Sequence, residues 1–224
     1  MSQEEKNEKN EDESDIAQLI IGGFSTNNNN EKKSLKSLIK AFSETKENSE
    51  IKYNNNSQYE LTYKILNENG NKFTCQNIFF EIKLSEKNLQ VYTTIDCYII
   101  FLDLENNESL IEIGKILNYL TQVDTDINYK KIYLINFFTN QNNIQSNLTE
   151  ENIKLYFNKY ELENYDISDL DLTDSNIELV KIIESISVET LEDKNIVNDG
   201  IIINKQNNNN YLKDDKDRSG CFIF

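Results

Sequence analysis

Two periods of apolar and polar residues run along this chain, and the switches between them mark out its elements. Residues 15–23 form a short apolar run ending in Gly22-Gly23, which reads as a buried strand stopping at a tight turn. Leu35, Leu38, Ile39 and Phe42 then follow at spacings of three, one and three, the stripe of an amphipathic helix. Residues 59–66 and 73–82 return to strand character on either side of Asn69-Gly70, the dipeptide that best signals a hairpin. Residues 96–104 are apolar on both faces, as a central parallel strand must be. Beyond them the pattern predicts a helix over 108–120, a strand over 131–138 and a helix over 149–160 opened by Thr149. A weaker strand over 165–172 and a helix over 175–191 close the series.

The order β-α-β-β-β-α-β-α-β-α predicts an α/β fold with a mostly parallel, six-stranded sheet, one antiparallel hairpin strand and helices on both faces. Residues 1–14 are too polar to bury anything and read as a disordered acidic arm ahead of a domain spanning 15–191. Residues 192–220 turn polar again and read as a flexible tail with a reach of about 30 Å. Asn runs at 27–30, 54–56 and 207–210 read as loop padding.

Composition removes whole classes of chemistry. The 224 residues carry 23 Lys+Arg against 39 Asp+Glu, and a net charge of −16 opposes general binding to nucleic-acid phosphate. With no His there is no His-based triad, general base or metal site. Cys75, Cys97 and Cys221 are too few and too scattered for a structural zinc site or a disulfide framework. No apolar run is long enough to span a membrane, and the acidic N-terminus predicts no secretory signal. These features together predict a cytosolic-side protein.

A strand, a Gly-bearing loop, Lys33-Ser34 and a helix, followed by this order of strands, resemble the small GTPase (Ras/Rab) superfamily. The clearest local match is the strand ending in Asp103 with Glu108, Ser109 and Leu110 opening the next helix. The resemblance implies a P-loop fold that holds GTP or GDP with Mg²⁺. A phosphate loop GxxxxGK[ST] wraps phosphate in backbone N–H groups, neutralises it with Lys and places a hydroxyl on Mg²⁺. Here Gly22 and Gly23 would open that loop, Lys33 would meet phosphate, and Ser34 would ligate Mg²⁺. Counted from Gly23 the loop is four residues too long, and Lys32 stands where the second glycine belongs. Lys36-Ser37 is a rival register, and the plain reading puts Lys33 and Ser34 on an exposed helix start.

The remaining family motifs are eroded. The Mg²⁺-holding Thr falls near Asn56 or Ser57, and Glu81 stands for the Asp of DxxG without the glycine or Gln that should follow. In place of the guanine-reading NKxD the chain has Asn136, Phe137 and Thr139, with Ser168 in the segment matching the last base-contacting loop. Phe137 would stack on a base or simply pack locally, whereas Thr139 lacks the carboxylate for a bidentate pairing. That loss costs on the order of 2–3 kcal/mol. Efficient hydrolysis of the family type is therefore not expected.

Residues 221–224, Cys221-Phe222-Ile223-Phe224, form a C-a-a-X box, and a terminal Phe points to geranylgeranyl. Processing would leave a thioether and methyl ester on Cys221 and remove Phe222, Ile223 and Phe224. One lipid gives reversible binding, and stable anchoring takes a second signal. Lys213, Lys216 and Arg218 alternate with Asp214, Asp215 and Asp217, so no polybasic patch supplies it. The expected protein visits the cytoplasmic face of a membrane through its prenyl group and keeps a cytosolic pool. A prenyl-binding chaperone and protein effectors are its expected partners.

Three functions compete. The first is a prenylated interaction module in vesicle traffic or signalling with weak or absent GTP binding. The second is a divergent GTPase switch that still binds nucleotide. The third is an unrelated α/β binding domain whose C-terminal box is accidental.

Overall fold

The computed structural model describes residues 16–26, 34–54, 58–66, 72–82, 84, 92–172 and 176–194. Seven strands form one sheet: β1 (Ile16–Ser25), β2 (Glu50–Asn54), β3 (Gln58–Leu66), β4 (Lys72–Glu81), β5 (Cys97–Asp103), β6 (Lys131–Phe138) and β7 (Tyr165–Asp171). Among the described residues four α-helices cover it: α1 (Leu35–Thr45), α2 (Ser109–Val123), α3 (Glu150–Lys159) and α4 (Ile177–Asp193). The spatial order is β2-β3-β4-β1-β5-β6-β7. Only β3 runs against the others, pairing antiparallel with β2 and β4, while β4-β1-β5-β6-β7 is parallel throughout. The fold is therefore α/β with a mostly parallel sheet and an antiparallel hairpin, an arrangement shared by Rossmann-like and P-loop-like proteins.

The sheet has seven strands, not six. The addition is β2, Glu-Ile-Lys-Tyr-Asn, paired in register with β3 from Glu50↔Thr62 to Asn54↔Gln58. The predicted hairpin is present: β3 and β4 pair from Gln58↔Phe80 to Leu66↔Lys72. Its turn, with Asn69 and Gly70, lies outside the described residues, as do the acidic arm, most of the Asn runs, the C-a-a-X box and the tail from 195 onward; residues 192 and 193, expected in the tail, still belong to α4, and Lys194 caps it.

Alternation along the strands splits the core in two. Leu19, Ile21, Phe101, Ile135 and Phe137 face α1 and α4, which contribute Leu35, Leu38, Ile39, Phe42, Leu179 and Ile183. Tyr98, Ile100, Leu102, Ile132 and Leu134 face α2 and α3 with Ile113, Leu117, Ile153 and Phe157. Ser34 caps α1 by accepting from the Ser37 N–H at 3.3 Å, and Thr149 caps α3 by accepting from the Asn152 N–H at 3.2 Å.

The first strand does not stop at the glycines. Gly22 and Gly23 lie inside β1, paired with Phe80 and Glu81 on one side and with Tyr98 and Ile99 on the other. Their value is thinness. A Cβ on Gly22 would lie 2.5 Å from the Tyr98 ring, and one on Gly23 would lie 2.4 Å from Leu35 Cδ2. Tyr98 cannot retreat, because its hydroxyl donates to Asp124 Oδ2 at 2.5 Å and that oxygen also accepts from Lys130 Nζ at 2.8 Å. A second buried polar cluster fastens α4. The Tyr63 and Ser187 hydroxyls lie 2.7 Å apart, and Asn77 Nδ2 donates to both, at 2.9 and 2.8 Å.

Two consequences can be measured. Gly22→Ala will lower stability by about 1–3 kcal/mol, the usual cost of overpacking, and by more than Gly23→Ala, whose neighbour is a flexible Leu tip. Urea midpoints of the two variants check this. Burial pushes the Cys75 and Cys97 thiols up to about 12, and burial beside Glu81 pushes the Tyr59 hydroxyl up to about 12. These groups stay protonated in the folded chain while the unfolded chain ionises. Their contribution is complete below the unfolded thiol pKa of about 8.5 and is lost as pH rises toward the folded values. The urea midpoint should fall between pH 8 and 11, and Cys75 and Cys97 should resist native alkylation.

Candidate functional site

In an open parallel sheet, the place to look for a site is where successive connections leave for opposite faces. Here that point lies between β1 and β5. From β1 the chain goes to α1 on one face, and from β5 it goes to α2 on the other. The carboxyl ends of β1, β5, β6 and β7 surround the resulting crevice.

Thr26, the first residue after β1, ties the crevice together. Its N–H donates to Phe101 O at 3.0 Å, and its Oγ1 accepts from the Asp103 N–H at 3.0 Å and lies 3.0 Å from Ser109 Oγ. Asn106 Nδ2 closes the ring by donating to Thr26 O at 3.3 Å. Ser109 is fully buried and Asp103 is 1% exposed, with Asp103 Oδ1 accepting from the Glu105 N–H at 3.0 Å. The motif from Asp103 to Ser109 therefore joins the end of β1 to the start of α2. Asp103 and Ser109 were legible in the sequence, whereas Glu105 and Asn106 were not singled out. Thr26 was not, because its partners lie more than 70 residues away.

A second clasp closes the far wall. The Glu105 carboxylate accepts from the Thr139 N–H at 2.5 Å, the Thr139 hydroxyl at 2.8 Å and the Asn140 N–H at 2.6 Å. Gln145 Nε2 donates to Glu105 O at 3.2 Å, drawing in the loop that follows. Thr139, expected from the resemblance to stand where a base is read, is thus hydrogen-bonded to Glu105.

The other expected base contacts are also committed. Phe137 is fully buried in the core beneath α1 and α4 and presents no ring face to a base. Asn136 is 4% exposed and spends its Nδ2 on Asp169 Oδ1 at 2.8 Å. Its Oδ1 is buried without a hydrogen-bond partner among the described residues. Ser168 lies inside β7 opposite Ile135, not in a loop beyond the strand. Glu81 ends β4, where its Oε2 accepts from the Tyr59 hydroxyl at 3.0 Å.

At the phosphate end, Ser34 acts as the N-cap of α1, which favours the plain reading of that residue, and Ser37 Oγ donates to Ser34 O at 2.8 Å. Lys33 lies outside the described residues, as do Lys32, Asn56 and Ser57. Because β1 runs on to Ser25 and α1 starts at Leu35, the connection comprises residues 26–34. An eight-residue phosphate-loop window ending on Lys33-Ser34 begins at Asn27 and fits that connection. The excess length counted from Gly23 disappears, but Asn27 and Lys32 take both glycine places. Among the described residues no group of three or more Cys, Asp or Glu is arranged to hold a metal ion. Taken together, these side chains do not fit a guanine base, and the Ser34 hydroxyl is engaged with its own helix.

No protein-family model matches the chain, and no curated protein matches it.

The Glu105 clasp has a direct test. Glu105→Ala leaves two exposed N–H groups to water, so the cost to global stability should be only about 1 kcal/mol. Amide exchange at Thr139 and Asn140 should quicken while Leu134, in the middle of β6, stays protected.

Proposed function

We propose that this chain is a membrane-tethered interaction module of the Ras/Rab-like type, whose nucleotide position is filled by its own side chains. One observation carries the reading: the Glu105 carboxylate holds Thr139 and Asn140 at the place where a base would be read. The burial of Phe137 and the N-cap role of Ser34 support it. The strand order, with β3 alone reversed and helices on both faces, agrees with what the resemblance implies.

In this reading the tether is a geranylgeranyl group on Cys221, and the protein works on the cytoplasmic face of a membrane in traffic or signalling. Its partners are effectors that recognise the fold, and a prenyl-binding chaperone that maintains a cytosolic pool. No described helix is long and apolar enough to cross a membrane. A second reading, a divergent GTPase that binds nucleotide, is favoured by one observation: the window 27–34 fits the β1–α1 connection in length.

The two readings part on nucleotide content. The full chain, purified and denatured, should release no stoichiometric GDP or GTP, and should take up none after incubation with Mg²⁺ and excess GTP. One guanine nucleotide per chain would establish the second reading instead. The tether is tested separately. Geranylgeranyl transfer should modify the wild-type chain, and Cys221→Ser should abolish both that modification and co-sedimentation with vesicles.

A further inference from the structure

Away from the crevice, a groove of about 620 Å³ runs along one stripe of α4 and ends against the hairpin ends of β3 and β4. Ile177, Val180 and Val188 form its helical wall, and Leu66, Lys64 and Lys72 form its sheet wall. Two of these aliphatic side chains face solvent: Leu66 is 56% exposed and Ile177 is 53% exposed. Neither Lys64 nor Lys72 has an ion pair among the described residues. The groove thus offers apolar walls with Lys64 and Lys72 at its sheet end, alongside Glu47 and a Lys46–Glu184 ion pair in the same lining.

The chain itself carries a segment of matching chemistry. Beyond α4 the sequence is mostly polar, interrupted by Ile196, Val197 and the triplet Ile201-Ile202-Ile203, with Asp199 and Gly200 between, and further on by Tyr211-Leu212. Those five aliphatics are the largest apolar group between α4 and the C-a-a-X box. We propose that residues 195–203 fold back and seat Ile201, Ile202 and Ile203 in this groove, with Asp199 beside Lys64 and Lys72.

Reach permits it. Lys194 ends its helix in an ion pair with Asp96, whose N–H donates to Ile20 O at 2.8 Å, so the exit point of the tail is fixed. Ile20 pairs with Ile78, and Lys72 lies six residues back along β4, roughly 20 Å at the strand rise. Ile201 is seven residues beyond Lys194, a span of up to about 23 Å when extended. Val188 is nearer still, about 9 Å back along the helix. Gly200 lies just ahead of the triplet, where the chain must turn into the groove. Opposite charge at the mouth selects this segment over a second acidic body, which would bring its own negative surface.

Tethered cysteines test the docking in the full chain carrying Cys221→Ser, with Cys75 and Cys97 left buried. Leu66→Cys with Ile202→Cys is compared with Tyr129→Cys with Ile202→Cys. Tyr129 precedes β6 near the tail's exit and is 86% exposed, so a free tail would find it readily. Leu66 and Tyr129 lie outside the packed core, so these replacements should leave the fold intact. Docking predicts an intramolecular disulfide at least about tenfold faster for the Leu66 pair, because a seated segment holds its partner at higher effective concentration than a random tether. Ile177→Cys with Ile202→Cys should show the same preference. Equal rates at Leu66 and Tyr129 would overturn the proposal. Predominantly intermolecular crosslinks would put a second copy in the groove, and faster capture of Ile223→Cys than of Ile202→Cys would put the chain end there. Either result would overturn it too.

Discussion

The molecule depends on a central strand thin enough to be closed on from both sides. At Gly22 the Tyr98 ring occupies the space a side chain would need, and at Gly23 Leu35 does the same from the opposite face. Tyr98 is held there by Asp124, which is itself held by Lys130, an ion pair almost fully removed from water. A buried pair of this kind is costly unless its remaining hydrogen bonds are met. Here they are: the Asp126 N–H donates to Asp124 Oδ1 at 3.0 Å, and Lys130 Nζ also donates to Tyr92 O at 2.6 Å. The absence of a Cβ at Gly22 is thus coupled to a charge network beneath the adjacent strand, while the bare Cα of Gly23 lets Leu35 of α1 close on the other face.

Within the crevice, polar groups that would face a ligand in an open site face one another. Thr26, Ser109, Asn106 and the backbone of Asp103 form one closed set, and Glu105, Thr139, Asn140 and Gln145 form another. Each set joins elements that follow different strands, so each acts as a brace across the carboxyl edge of the sheet. A ligand entering here would have to replace several charge-assisted hydrogen bonds to Glu105 before gaining any of its own. The Asn136 Oδ1 is the exception, buried and without a partner among the described residues. Its neighbouring Nδ2 is spent on Asp169, so the amide is held by one end only among the described residues.

The sequence disclosed those parts of the fold whose signal is local. β5 was legible because a strand covered on both faces must be apolar throughout, and all seven of its residues are buried. The helices were legible because their buried stripes keep helical spacing. β2 was not: Glu-Ile-Lys-Tyr-Asn is an edge strand, largely exposed, and shows no apolar face to read. Gly22-Gly23 misled because Gly-Gly usually marks a turn, whereas here it marks a close approach inside a strand. The site was half legible. Asp103, Ser109 and Asn136 stood out by position, but the contact of Glu105 with Thr139 joins residues 34 apart and leaves no local trace.

The proposed docking and the proposed tether constrain each other through the charge of the body. A chain of net charge −16 is repelled by an anionic leaflet, and the alternating Lys and Asp residues near Cys221 offer nothing to offset this. Repulsion between exposed charges fades over a Debye length of about 8 Å at physiological salt. With Ile203 seated, the free tether runs from residue 204 to Cys221 and spans about 24 Å as a random coil. Released from Lys194 onward, it spans only about 29 Å. Both lengths exceed the screening distance several-fold, so a lipid on Cys221 can insert while the acidic body stays outside the repulsive layer. Seating the isoleucines therefore changes little about membrane reach. What it would change is how much of the apolar sequence at 196–203 meets water in the proposed cytosolic pool.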